Sequence, residues 1–365
     1  MVSSLMLGAA TTALSPSTCS TLSSSSSSSS PSPLPPPPPP SSSSPSSLFS
    51  RRFAVTWFSA ASFGYSALPQ PQLLFGAKGF PFQVPEAIAA AEKKLVPPVP
   101  NLFDWVQNDK RRFLHVVYKV GDLEKTIKFY TECLGMKLLR QRDIPEDRYS
   151  NAFLGYGPED SSFTVELTYN YGVDNYDIGA GFGHFGIVTE DVAKTVDLIK
   201  AKEGKVTKEP GPFIEDPDGY KFKLLERKGP TSEPFSQVML RVGDLDRAIA
   251  FYQKAIGMKL LFKEDNPDHK YTVAVMGYGS EADNPVLELT YNYGVTNYDK
   301  GNGYAQIAIG TNDIYKTAEA IKLSGGKIIR EPGPLPGINT KIVVCLDPDG
   351  WKLVFVDNVD FLKEL

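Results

Sequence analysis

The chain repeats itself at a fixed displacement. Val120-Gly-Asp-Leu123 returns as Val242-Gly-Asp-Leu245, Leu167-Thr-Tyr-Asn-Tyr-Gly172 as Leu289-Thr-Tyr-Asn-Tyr-Gly294, and Glu209-Pro-Gly-Pro212 as Glu331-Pro-Gly-Pro334, each 122 positions on. Such self-similarity means that two stretches share a fold and pack as copies. Asp216-Pro-Asp-Gly219 instead returns 131 positions later, as Asp347-Pro-Asp-Gly350. Nine residues around Leu335–Val343 therefore have no counterpart between Pro212 and Asp216.

Each half divides again. Leu114–Val120 alternates as a strand, Leu123–Leu134 carries apolar residues at helical spacing and stops at Gly135, and three strands are expected at Met136–Arg142, Tyr149–Gly155 and Ser162–Tyr169. His184–Thr189 opens a second unit in the same order, with a helix over Val192–Lys202. Four βαβββ units in two tandem halves predict an α+β fold with curved mixed sheets. The nine absent residues correspond to a strand of the second unit, matching Thr340–Leu346 of the fourth. The sequence thus predicts one missing strand and an uncovered sheet edge there.

Composition decides what precedes the repeat. Residues 1–85 contain no Asp or Glu, only Arg51, Arg52 and Lys78 as cations, and long serine and proline tracts that bury no core. A serine-rich, acid-free, mildly basic leader reads as an organelle transit peptide, plastid first and mitochondrion second. Residues 86–112 read as a helical extension interrupted by Pro97-Pro98-Val99-Pro100, and the two repeat domains are expected at 113–228 and 235–358. Removing the three leader cations from the chain's 38 leaves 35 against 42 acidic residues, a net of −7. That charge argues against nucleic acid or an anionic membrane as the partner. No run of eighteen apolar residues occurs, and three cysteines build no disulfide framework.

Chemistry-bearing residues are few. Of three histidines, His269 sits in a polar turn, whereas His115 and His184 occupy equivalent places in unit-opening strands. Strand alternation puts His115, Val117 and Lys119 on one face, and Glu166, Thr168 and Asn170 on one face of Val165–Asn170. An imidazole and a carboxylate projecting from neighbouring strands suit a divalent metal; isolated, either is an ordinary structural residue. Cys133 and Cys345, with apolar neighbours, read as packed thiols.

The runs Leu114-His-Val-Val-Tyr-Lys-Val-Gly-Asp-Leu123, Val165-Glu-Leu-Thr-Tyr-Asn-Tyr-Gly172, Gly183-His184 and Asp216-Pro-Asp-Gly-Tyr-Lys221 resemble glyoxalase I (lactoylglutathione lyase) of the vicinal-oxygen-chelate superfamily. The double-length chain resembles the two-domain plant plastid form over about residues 100–365. The resemblance implies metal-dependent isomerisation of the methylglyoxal–glutathione hemithioacetal to S-lactoylglutathione. It implies one divalent ion (nickel, zinc or cobalt), glutathione as cosubstrate, and a monomer whose halves act as a pseudo-dimer. It assigns metal ligands to His115, Glu166, His184, Gln237 and Glu288, acid–base roles to Glu166 and Glu288, and substrate contacts to Lys119, Asn170, Arg241 and Asn292. Three family ligand positions are degenerate: Lys223 and Val354 stand where the family has Glu, and Gln306 where it has His. Three groupings remain open: Gln237, Glu288 and His184 with Lys223; His115 and Glu166 with Gln306 and Val354; or His115, Glu166 and His184 within one half. Lys223 and the nine-residue deficit are expected to impair activity. The alternative is a catalytically silent relative that binds glutathione conjugates.

Overall fold

The computed structural model describes residues 101–365 apart from 203, 208–211, 230 and 336–338. The expected leader, and the extension as far as residue 100, lie outside the described residues. A short helix, α1 (Leu102–Asn108), leads into four units of one pattern. The first unit is β1 (Arg112–Lys119), α2 (Leu123–Glu132), β2 (Lys137–Ile144), β3 (Tyr149–Gly155) and β4 (Thr164–Asn170). The second is β5 (Phe182–Thr189), α3 (Val192–Ala201), β6 (Lys205–Thr207), β7 (Phe213–Glu215) and β8 (Lys221–Glu226). The third is β9 (Phe235–Arg241), α4 (Leu245–Lys254), β10 (Lys259–Asn266), β11 (Tyr271–Gly277) and β12 (Val286–Asn292). The fourth is β13 (Tyr304–Thr311), α5 (Ile314–Leu323), β14 (Lys327–Pro334), β15 (Lys341–Leu346) and β16 (Lys352–Asp357), and the chain closes with α6 (Asn358–Glu364).

The repeated motifs turn out to be structural staples. Each unit helix starts at an aspartate, Asp122, Asp191, Asp244 or Asp313, whose carboxylate accepts a backbone N–H of the first turn, a cap worth about 1 kcal/mol. The glycine before Asp122 is required, because a Cβ on Gly121 would lie 1.8 Å from the Asp174 carbonyl oxygen. The Asp-Pro-Asp-Gly turns bolt the units together: Asp218 Oδ1 accepts from Gly121 N at 2.6 Å, and Asp349 Oδ1 accepts from Gly243 N at 2.8 Å. Buried Asp216 and Asp347 accept hydroxyls from Tyr130 and Tyr252 and close their own turns through backbone N–H groups.

Two eight-stranded sheets result, in the orders β14-β15-β16-β13-β1-β4-β3-β2 and β10-β11-β12-β9-β5-β8-β7-β6. The first sheet joins units one and four, the second joins units two and three. Each sheet is therefore shared between the sequence halves, seamed by β1 antiparallel to β13 and β5 antiparallel to β9. One large core, including Tyr118, Tyr130, Phe185, Phe222, Tyr252 and Phe355, runs through both. Cys133 and Cys345 are buried in it. No helix among the described residues is long and apolar enough to cross a membrane.

The strand expected to be missing is shortened instead. β7 keeps three residues and pairs with β8 through Phe213↔Lys223, Ile214↔Phe222 and Glu215↔Lys221. That register equals Val344↔Val354 in the fourth unit, and Gly186↔Lys223 equals Ala308↔Val354. The deficit trims the hairpin without slipping it. Phe213 and Ile214 still bury, and a one-residue slip would turn every side chain of the strand to the opposite face.

In the fourth unit the nine-residue run has a distinct destination. Leu335 and Ile342 join Leu114, Ala308, Val354, Val356 and α6 residue Phe361 in a second apolar cluster against the first sheet. Among the described residues the second unit has neither this run nor a helix equivalent to α6.

Candidate functional site

That asymmetry leaves the second sheet with an open cleft of about 700 Å³. Strand pairing determines which side chains meet there. β9 runs parallel to β12, placing Glu288 beside Met239 and Gln237 beside Val286. β5 runs antiparallel to β9, placing His184 opposite Met239 and Gly186 opposite Gln237. Lys223, next to Gly186 on β8, joins His184, Gln237 and Glu288, and all four side chains line the cleft. Gly186 must be glycine, since a Cβ there would lie 2.5 Å from the Gln237 side chain.

His184, Gln237 and Glu288 are all buried. Glu288 accepts a hydrogen bond from Gln237 Nε2, and Thr290 Oγ1 donates to its other oxygen at 3.4 Å. Burial raises the Glu288 carboxyl above its ordinary range, opposed chiefly by the positive charge of Lys223. His184 meets the edge of Phe213 at 5.2 Å, and its Nε2 has no hydrogen-bond partner. Burial first, then the charges of Lys223, Arg241 and Lys221, lower its pKa to about 3. The imidazole is therefore neutral at physiological pH, with a lone pair available. Among the described residues no three His, Cys, Asp or Glu side chains gather into a metal cluster. The convergent set is one imidazole, one carboxylate and one amide. An orphaned buried imidazole nitrogen beside a carboxylate fits a divalent ion, with three protein donors. Lys223 adds no lone pair.

Of the four residues matched to substrate contacts, Arg241 and Asn292 line this cleft. Arg241 donates to the carbonyls of Ala180 (2.7 Å) and Phe182 (3.1 Å), which holds its guanidinium at the rim. Lys119 and Asn170 lie on the first sheet instead, both engaged with Tyr176: the Lys119 ammonium stands 5.5 Å from its ring centroid, and Asn170 Nδ2 donates to its hydroxyl at 2.7 Å.

The first sheet brings His115, Glu166, Gln306 and Val354 to the matching positions. His115 Nε2 lies 3.5 Å from Glu166 Oε2, and Asn151 Nδ2 donates to Glu166 Oε1 at 2.9 Å. Burial, reinforced by Arg140 and Arg112, lowers the His115 pKa to about 3, while burial raises Glu166 to about 7. The His–Glu contact is thus not an ion pair at neutral pH. Phe361 lies over this site, its ring 6.5 Å from that of His115, and Val354 packs into the apolar cluster. The position is filled. The within-half grouping fails as well, because His184 stands on the other sheet from His115 and Glu166.

Sequence reasoning missed the opposite wall. Phe262 and Glu264 of edge strand β10 line the cleft, with Phe262 half exposed. The repeat counterpart of Phe262, Arg140, is engaged with Glu159 at 2.6 Å and lies over Phe153. The divergence of this strand between the repeats, KLLRQRDI against KLLFKEDN, was the available signal.

Two segments, 112–224 and 235–355, match the family model described as "Glyoxalase/Bleomycin resistance protein/Dioxygenase superfamily". A probable chloroplastic lactoylglutathione lyase of Arabidopsis thaliana is 76% identical over 274 residues, spanning 73% of this chain and 78% of that protein. A lactoylglutathione lyase of Oryza sativa subsp. japonica is 64% identical over 278 residues, spanning 72% of this chain and 95% of that one. The crystal structure of glyoxalase I from Zea mays superposes with a TM-score of 0.70 at 64% identity, over 72% of this chain and 97% of the other.

Proposed function

The chain belongs to the Glyoxalase/Bleomycin resistance protein/Dioxygenase superfamily, and from that premise we propose that it isomerises the methylglyoxal–glutathione hemithioacetal to S-lactoylglutathione. The observation that carries the assignment of the site is the asymmetry of the two sheets: one face gathers His184, Gln237 and Glu288 in an open cleft, the other is packed with Leu335, Val354 and Phe361. The reaction belongs in the second sheet's cleft.

His184, Gln237 and Glu288 hold a divalent ion, nickel or zinc, through imidazole, amide and carboxylate donors. When bound, the ion supplies Lewis-acid stabilisation of the negative charge that develops on the substrate oxygens. Glu288 takes the proton from one carbon and returns it to the next. Arg241, with Lys221 nearby, gives the rim a positive charge that matches the carboxylates of glutathione, and Asn292 offers an amide. Phe262 presents an apolar surface opposite them.

The compartment is the plastid, reached through the serine-rich leader. The folded unit is a monomer whose domains at 113–228 and 235–358 exchange strands as a dimer's subunits would. The assay is the rise in thioester absorbance when the full chain, reconstituted with nickel or zinc, meets methylglyoxal and glutathione. A metal-saturated, folded chain that produces no thioester would overturn the reading.

A further inference from the structure

Lys223 brings a positive charge into the cleft beside the place where a positive ion would sit. β8 carries it in a register fixed on both sides, by Phe213 of β7 and Gly186 of β5, so it is not displaced by the shortened hairpin. From that position its side chain lines the same cleft as His184, Gln237 and Glu288. The residue at the matching place on the first sheet, Val354, is apolar and packed away. The geometry points to Lys223 as the residue that sets the metal affinity of the cleft. Its ammonium shares the cleft with Glu288 in the metal-free chain, and a divalent ion competes with it for that carboxylate.

The competition has two parts. Attraction between Lys223 and Glu288 is present without metal and is weakened when the carboxylate turns to an ion. Repulsion between the ammonium and the ion arises only on binding. At an effective dielectric of about 20, a unit charge within about 10 Å of a divalent ion changes affinity by at least on the order of 100-fold. The chain is consequently a weak, exchangeable metal binder, loaded according to the free metal concentration rather than carrying a permanent ion.

This inference rests on the reading of the cleft as a divalent-metal site, so affinity and activity are measured separately. The metal-stripped full chain would be titrated with nickel and with zinc against a colorimetric chelator, beside Lys223→Met and Lys223→Glu. Thermal melting would check that each variant folds. Lys223→Met, of similar length and uncharged, is expected to bind on the order of 100-fold tighter, and Lys223→Glu, which adds a donor, tighter still. In a Glu288→Gln background the gain from Lys223→Met should shrink, leaving only the part owed to repulsion. Equal affinities for wild type and Lys223→Met would overturn the inference, as would a gain undiminished by loss of Glu288. Turnover by the metal-saturated wild type tests the lyase reading independently: activity with unchanged affinities keeps the reading and sinks the role of Lys223. Tighter binding with no turnover in any variant does the reverse.

Discussion

Two equivalent carboxylates, Glu288 and Glu166, are expected to respond oppositely to the same substitution. Glutamine keeps the size of glutamate and removes its charge and its capacity as a base. Glu288→Gln in the open cleft is expected to lower kcat/KM by about 10²–10⁴, the usual cost of losing an acid–base carboxylate. Stability should change by less than about 1 kcal/mol, because the amide still fills the volume beside Gln237 and Thr290. Glu166→Gln on the filled face should leave kcat/KM within about twofold and instead alter stability with pH. The Glu166 carboxyl is held at about 7 against an ordinary 4.5, mainly by burial. The folded chain therefore holds this proton more tightly than the unfolded chain. The associated stability is complete below pH 4.5 and lost as pH rises through 7. At 1.36 kcal/mol per pKa unit the difference of about 2.5 corresponds to roughly 3 kcal/mol above pH 8. Glutamine is indifferent to pH, and its carbonyl still accepts from Asn151. Urea melts of wild type and Glu166→Gln should thus agree near pH 4.5 and diverge in favour of the variant by pH 8. Loss of turnover in Glu166→Gln with retention in Glu288→Gln would place catalysis on the other sheet and refute the argument.

Phe361→Ala, which removes a buried ring from the plug over His115, is expected to cost about 3–5 kcal/mol in a denaturant melt while turnover per folded molecule is preserved. His184→Ala should weaken nickel or zinc binding at least about tenfold by chelator competition, since it deletes the orphaned imidazole nitrogen; unchanged affinity would remove it from the site. Burial holds Asp216 at about 7 and Asp347 at about 6, both above their ordinary 3.8. Their contribution is present below pH 4 and lost as pH rises through 6–7, so Asp216→Asn should flatten the decline of Tm between pH 5 and 8. Inserting a copy of residues 335–343 after Pro212 should lower kcat/KM, because Leu335 and Ile342 cover the matching face of the first sheet; unchanged turnover would separate the nine-residue deficit from the openness of the cleft.

Much of the architecture was written in repetition and period. The 122-residue displacement, the helical spacing of apolar residues and the period-two strands specify four units, because each depends on neighbours within a few residues or on which face is apolar. The candidate residues were legible in part: the placement of His115 and His184 and the alternation around Glu166 singled these out, and the family resemblance added Gln237 and Glu288. The grouping of those residues was not legible. That units one and four share a sheet, and two and three another, depends on the antiparallel seams between β1 and β13 and between β5 and β9, pairings between segments distant in the chain that leave no local trace. The nine-residue deficit was visible as a count, but its meaning was tertiary. Burial of Phe213 and Ile214 keeps the shortened strand in register, and Leu335 and Ile342 use the extra length to seal the opposite face. Sequence alone offered the side chains whose type suits metal binding and proton transfer, since that is a property of each residue type. Tertiary structure decided which of two homologous faces stays open to use it, because access depends on what distant segments pack there.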